Sequence, residues 1–276
     1  MATERVQFTK EKVTMLMTLY GRAVQSRWEK PILPDPWAEE AVRRIDYDFS
    51  KLYGYGGLFG RMVSGIGCTI IATRASTFDL LTTRYLADHP DATVLHLGCG
   101  MDTRIYRVDP PASVNWFDVD YPDVIDVRRR LFPDRPGYRL IGTSLEDLRW
   151  LDDVEPGDRP ALVVAEGALM YLTEGNVKAL LHALTSHFPE GQMVFDAIHP
   201  WVLKKNVAGT GASQQWGLDD AQDVKQLEPK LELIKEFSVT EWVAFSRFPR
   251  AVQMLYRVMD PVSALRRMER VLVYRF

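Results

Sequence analysis

A short apolar run that breaks on glycine, followed by a second that ends in carboxylates, leaves this chain few folds to choose from. Residues Thr93–Arg104 read TVLHLGCGMDTR, and Trp116–Pro122 read WFDVDYP. In a doubly wound α/β sheet the first run is a central strand. The Gly98-Cys99-Gly100 turn then lets the backbone approach a ligand. An acid at the tip of the second strand, Asp118 or Asp120 here, accepts from the hydroxyls of a nucleotide-like ribose.

The surrounding pattern agrees with such a sheet. Strands are predicted at Thr93–Leu97, Val114–Asp118, Tyr138–Gly142, Ala161–Ala165 and Gln192–Ile198. The ALVVA run is continuously apolar, as a strand buried on both faces should be. Between strands lie helical segments. Tyr121–Phe132 carries Pro122 in its first turn, and a helix capped by Thr173 carries Val177, Leu180, Leu181, Leu184 and Phe188 on one stripe. Alternating strand and helix argues for a mainly parallel sheet. Leu231–Val239 and Arg270–Phe276 are candidate final strands, with a helical segment at Pro249–Met268 between them.

Ahead of the sheet, residues 11–30 and Trp37–Ile45 read as helices separated by the extended PILPDP segment. The glycine-rich Tyr53–Gly67 reads as a loop or a loosely packed helix edge, and Thr69–Ala87 as a long lead-in helix. The expected organisation is one domain over 1–276. Residues 1–90 form a helical cap and lead-in helix, and 91–276 the core. Residues at about 200–230 mix Gly, Ser and Gln with Trp201 and Trp216 and read as a lid insertion after the fifth strand.

The loop chemistry narrows the cofactor. A dinucleotide site wants a third glycine or alanine three residues past Gly100, and this chain has Thr103 there, beside Asp102 and Arg104. An acid at a helix mouth repels a pyrophosphate. A cofactor without phosphates suits the loop better, and S-adenosylmethionine is one. The competing reading is a nicotinamide-dependent oxidoreductase on the same sheet; a third is a binding module that keeps the fold without catalysis.

Several classes are disfavoured by composition. The 34 basic and 37 acidic residues give a formal charge of -3, so no phosphate-backbone footprint for nucleic acid is present. The two cysteines, Cys68 and Cys99, fit neither a disulfide framework nor a metal spacing, and no metal site is expected. The charged N-terminal MATERVQFTKEK lacks a signal-peptide core, and no apolar run approaches the roughly 20 residues that span a bilayer. The expected setting is cytoplasmic, with no membrane partner. No Ser-His-Asp order with a nucleophile elbow occurs.

The strings LGCGMDTRIYR, WFDVDYPDVIDVRR and AEGALMYL together resemble the leucine carboxyl methyltransferase family, whose bacterial members include polyketide O-methyltransferases of the tetracenomycin type. IATRASTFD (Ile71–Asp79) and the opening TLYGRAVQSRW…PDPWA are similar to the family as well. The resemblance implies a Rossmann-like class I fold that uses S-adenosylmethionine and releases S-adenosylhomocysteine. The implied acceptor is a small molecule, methylated on a carboxylate or hydroxyl.

The resemblance also implies roles. Arg74 would pair with the methionyl carboxylate, for which a guanidinium fork is well shaped. Gly98 and Gly100 would form the turn beneath the amino-acid moiety, and Asp120, from the family's D-x-P element, would take both ribose hydroxyls. Ser144 and Leu145 would cradle the adenine, with Ser144 standing where the family usually has an acid; Glu146 or Asp147 could substitute. Glu166, at the end of the fourth strand, would bind the ammonium.

For catalysis the candidates are Tyr171, one short loop later, and His199, which closes the fifth strand. Trp201, Trp216 and cap residues around Tyr20 could wall an apolar acceptor site. His96, inside the first strand, reads as a satisfied core residue.

Overall fold

Seven strands form the central sheet of this computed structural model, which describes residues 4–6, 11–49, 52, 57–203, 207 and 211–276. A two-residue bridge, β1 (Glu4–Arg5) with β2 (Ile45–Asp46), stands apart from it. The sheet strands are β3 (Thr93–Leu97), β4 (Asn115–Asp120), β5 (Tyr138–Gly142), β6 (Ala161–Ala165), β7 (Gly191–Ile198), β8 (Glu232–Ser238) and β9 (Glu269–Arg275). Their order is β5-β4-β3-β6-β7-β9-β8, and only β9 runs antiparallel to its neighbours. The chain moves outward from β3 to β5, then crosses back to β6. That reversal leaves a crevice at the carboxyl ends of β3 and β6, where open α/β sheets bind ligands.

The helices are α1 (Glu11–Ser26), α2 (Pro36–Arg44), α3 (Gly57–Asp88), α4 (Arg104–Val108), α5 (Pro122–Leu131), α6 (Glu174–His187), α7 (Val224–Leu227), α8 (Arg250–Met259) and α9 (Ser263–Arg266). Strand residues alternate between two cores. Leu95, Leu97, Phe117, Val163 and Phe195 pack with α6, while Val94, Trp116, Leu162, Val164 and Val194 pack with Phe78 and Leu81 of α3. Both faces are covered, which accounts for the apolar continuity of β3 and β6.

Some expected boundaries shift. The second sheet strand runs two residues further than predicted, so Asp120 is still in the ladder. The first helix ends at Ser26, and the Pro249–Met268 segment breaks into α8 and α9. Of the two readings of Tyr53–Gly67, loop or helix edge, the chain is helical from Gly57 onward, and residues 53–56 lie outside the described part. Each glycine costs a helix roughly 1 kcal/mol. Here that cost is offset because the same helix continues into a buried C-terminal half containing Ala72, Ala75 and Phe78. The hydroxyls of its buried Thr69, Thr77 and Thr82 donate to the carbonyls of Gly65, Thr73 and Phe78, whereas the buried Thr73 hydroxyl has no hydrogen-bond partner among the described residues.

Asp35 of the PILPDP segment fastens the cap to the core. Its carboxylate caps α2 at Ala38 N (3.0 Å) and accepts from Arg22 Nε (3.1 Å), the Thr103 hydroxyl (2.6 Å) and Arg107 (3.1 Å). Thr103, which breaks the dinucleotide pattern, is thus the docking point for α2. The described part of the 200–230 segment is seated on the sheet: Trp216, Leu218, Ala221 and Val224 are buried in the α6-side core. Among the described residues no helix is long and apolar enough to cross a membrane.

Candidate active site

A cavity of about 440 Å³ opens at the carboxyl ends of β3, β4 and β6. Of the residues expected to hold a cofactor, Arg74, Gly98, Gly100, Asp120, Leu145 and Glu166 all line it. The turn that begins the wall is made by positive-φ glycines. Gly98 has φ +61° and its N–H donates to the Val119 carbonyl at 2.8 Å. A Cβ added there would lie 2.6 Å from the Cβ of Ala168. Gly98→Ala is therefore expected to lower stability by at least about 2 kcal/mol, from the left-handed backbone and the clash together. Urea denaturation measures it; an unchanged midpoint would show that the turn tolerates a side chain.

Asp118 and Asp120 occupy different environments. The Asp118 carboxylate is fully enclosed and accepts from Trp116 Nε1 (2.8 Å) and the Tyr138 hydroxyl (2.6 Å). His96 Nδ1 lies 3.0 Å away, and the Arg128 guanidinium completes the set. Burial alone would raise this carboxyl, but Arg128 and the other partners hold it down at about 2. Asp118 has no face toward the cavity, and Asp120 does. Asp120 Oδ2 accepts from Gly100 N and Oδ1 from Tyr121 N, both at 2.7 Å. Two backbone amides thus fix the orientation of its carboxylate. Burial pushes the Asp120 carboxyl above the usual range, against the pull of those amides.

The other end of the cavity is densely charged. Arg74 Nε donates to Glu166 at 3.0 Å, and its Nη1 donates to Glu269 at 2.9 Å and lies 3.1 Å from Asp196 Oδ2. Burial opposes the charge on Arg74, but Asp196, Glu166 and Glu269 raise its pKa nonetheless. Burial also works against the Glu166 carboxylate, yet Arg74 and Arg104 hold it below the usual range. Asp196 is different. It is fully buried in β7, its Oδ1 accepts from Gly167 N (2.7 Å), and its Oδ2 has no hydrogen bond. Burial, opposed by Arg74 and reinforced by Glu166, pushes its carboxyl up to about 7.

This arrangement suits an amino-acid tail. The guanidinium faces three carboxylates, so an incoming carboxylate could take the cation while an incoming ammonium is met by the surplus acids. Asp102 sits close by but is not a free charge: Arg104 and Arg107, with Arg22, hold it well below the usual range despite burial. It therefore belongs to a buried ion network, and its repulsion of a pyrophosphate is weaker than the sequence alone implies.

The remaining candidates divide. Tyr171 lines the cavity, its hydroxyl 3.4 Å from that of Thr14 on α1. Ser144 is not in the lining; its hydroxyl accepts from Glu146 N (3.3 Å), and its neighbour Thr143 lines the wall instead. Glu146 bonds Asn176, and Asp147 bonds Arg149. His199 is also outside the lining and is paired with Asp219 (2.9 Å) at the base of the following turn. Trp216 packs in the core against Phe195, Trp201 is 54 % exposed, and Tyr20 stacks on Phe49. The apolar wall is made by Met15, Met17, Ile70, Ile71 and Met170. His96 is buried between Asp118 and Arg104.

Asp196, Glu269, Lys12 and Thr143 went unrecognised in the sequence. Only Asp196 carried a signal, as a lone acid inside the buried run GQMVFDAI.

Residues 15–185 match the leucine carboxyl methyltransferase family. The chain belongs to that family, and it is an S-adenosylmethionine-dependent methyltransferase. It is 38% identical over 278 residues, covering 99% of each chain, to the tetracenomycin polyketide synthesis O-methyltransferase TcmP of Streptomyces glaucescens. It is 31% identical, over 93% of this chain and 92% of the other, to the S-adenosyl-L-methionine-dependent methyltransferase dpfgK of Gibberella zeae. The fold matches a crystallographic methyltransferase from Thermobifida fusca with a TM-score of 0.55 and 16% identity, over 82% of this chain and 92% of that one. The Rossmann-like class I sheet expected from the sequence is thereby established, and the nicotinamide reading is set aside.

Proposed function

We propose that this enzyme methylates an oxygen, carboxylate or hydroxyl, of a small, largely apolar molecule of polyketide type in the cytoplasm. The carrying observation is one cavity that has Asp120 at one end, Arg74 and Glu166 at the other, and Met15, Met17, Ile70, Ile71 and Met170 in its apolar wall. The similarity to a polyketide O-methyltransferase over almost the whole length of both chains supports the same acceptor class.

Asp120 would hold the ribose, Arg74 the methionyl carboxylate, Glu166 the ammonium, and Thr143 and Leu145 the adenine, with Gly98 and Gly100 beneath the tail. The bound cofactor supplies an electrophilic methyl on a sulfonium. The protein's part is alignment and exclusion of water. A carboxylate acceptor is already ionised near pH 7 and needs no base, whereas a phenol, with a pKa of about 10, needs one. Tyr171, which lines the cavity, would contact the acceptor; His199, outside the lining and bonded to Asp219, would have to leave that partner and turn inward to do so.

Thermal unfolding tests the cofactor half of this reading. S-adenosylhomocysteine at a hundredfold excess over its Kd is expected to stabilise by about 2.7 kcal/mol, a shift of several degrees in Tm, with no shift from NADH. The acceptor half is tested by mass spectrometry on a panel of aromatic carboxylic acids and phenols incubated with S-adenosylmethionine. A gain of one methyl is the expected product, and a panel left unmodified by cofactor-bound protein would count against it.

A further inference from the structure

A second cavity of about 320 Å³ adjoins the first, and the two share Arg74, Met170, Gln214 and Glu269 in their walls. This size lies in the range of small-molecule sites, about 300–1,000 Å³. Apart from the shared Arg74, the cofactor reading of the first cavity uses none of the residues that the end of β8, α8 and the turn through α9 into β9 bring to the second.

The second cavity has two kinds of wall. One is apolar, from Val239, Met259, Leu265 and Met268. Its other end is polar: the Asp260 carboxylate accepts from the Thr240 hydroxyl (3.1 Å) and the Ser238 hydroxyl (3.4 Å), with Arg266 Nε 3.9 Å away. Methionine walls conform to flat, polarizable rings. With the two hydroxyls donating to the carboxylate, the cluster presents acceptor lone pairs and suits a ring hydroxyl, which can donate to it.

We propose that this second chamber holds the body of the methyl acceptor, a flat ligand of two or three fused rings. Its distal oxygen meets the Ser238–Thr240–Asp260 cluster, and its reacting end reaches past Glu269 into the first cavity. The proposal rests on the reading of the first cavity as the cofactor's and identifies the part of the fold that selects the acceptor. Met259 and Thr240 are then specificity-determining residues that leave the cofactor alone.

The test is isothermal titration with 6-hydroxy-2-naphthoate, a bicyclic acid whose hydroxyl lies on the ring far from its carboxylate, in the presence of saturating S-adenosylhomocysteine. Wild type is expected to bind it. Met259→Trp, which fills the chamber, is expected to weaken that binding at least about tenfold, and S-adenosylhomocysteine affinity should change less than about twofold. Thr240→Val, a smaller change that keeps volume, is expected to weaken the naphthoate about threefold or more, and it serves if Met259→Trp fails to fold. Absence of naphthoate binding to wild type, equal binding by all variants, or displacement of the naphthoate by the nucleoside would overturn the proposal. If S-adenosylhomocysteine itself does not bind, the cofactor reading fails; the same variants titrated with naphthoate alone then judge the chamber separately.

Discussion

Asp120→Ala is expected to weaken S-adenosylhomocysteine binding by about a hundredfold or more, because two hydrogen bonds to a charged acceptor are each worth about 1.5–3 kcal/mol. Asp120 lines the cavity and is held by the amides of Gly100 and Tyr121. That preorganisation means little ordering is left for the ligand to impose. Asp120→Asn keeps one acceptor oxygen and should fall between wild type and alanine. The pH dependence has a definite sign. Burial raises the Asp120 carboxyl above the usual range, so affinity should decline as pH falls at a higher pH than an exposed aspartate would give. Isothermal titration across pH reads both effects; an alanine variant with wild-type affinity would remove Asp120 from the ribose site.

The second large effect is on stability. Asp118→Ala should cost about 3–5 kcal/mol, since it strands the buried Arg128 guanidinium together with the donors on Tyr138 and Trp116. The carboxyl falls from an unfolded value of 3.8 to about 2 in the fold. A depressed carboxyl adds stability above the unfolded value, and that stability is lost as pH falls through the folded one. The difference corresponds to about 2 kcal/mol, present at neutral pH and lost between about pH 4 and 2. Urea unfolding at pH 7 and at low pH should show wild type and variant converging in acid. A variant as stable as wild type at pH 7 would mean that Arg128 finds full compensation in the carbonyls of Gly100 and Asp102, to which it also donates.

Glu166 and Arg74 stand 92 residues apart and Glu269 and Arg74 195 apart, yet they meet at one guanidinium. Local pattern reading has no access to such a meeting. It could assign Arg74 a carboxylate partner through resemblance, but not the three that surround it within the protein. Composition marked 200–230 as irregular, but only the fold shows that Trp216 and Val224 are buried in one core with residues of α6 and β7.

The order of strands and helices, the glycine turn and the acid at the second strand's tip were legible in the sequence alone, because periodicity, apolar continuity and positive-φ glycine are properties of a few consecutive residues. The choice between Asp118 and Asp120 was not legible in periodicity; the resemblance, through its D-x-P element, favoured Asp120 without a physical reason. They are two apart on one strand and share a face, so alternation cannot separate them. Tertiary structure does: α5 brings Arg128, β5 brings Tyr138 and β3 brings His96 around Asp118, while Asp120, one pleat further along, emerges at the end of the ladder beside the Gly98–Gly100 turn. Partners that arrive from separate elements of the chain, rather than any residue's own neighbours, determine which carboxylate is spent on the core and which is left for a ligand.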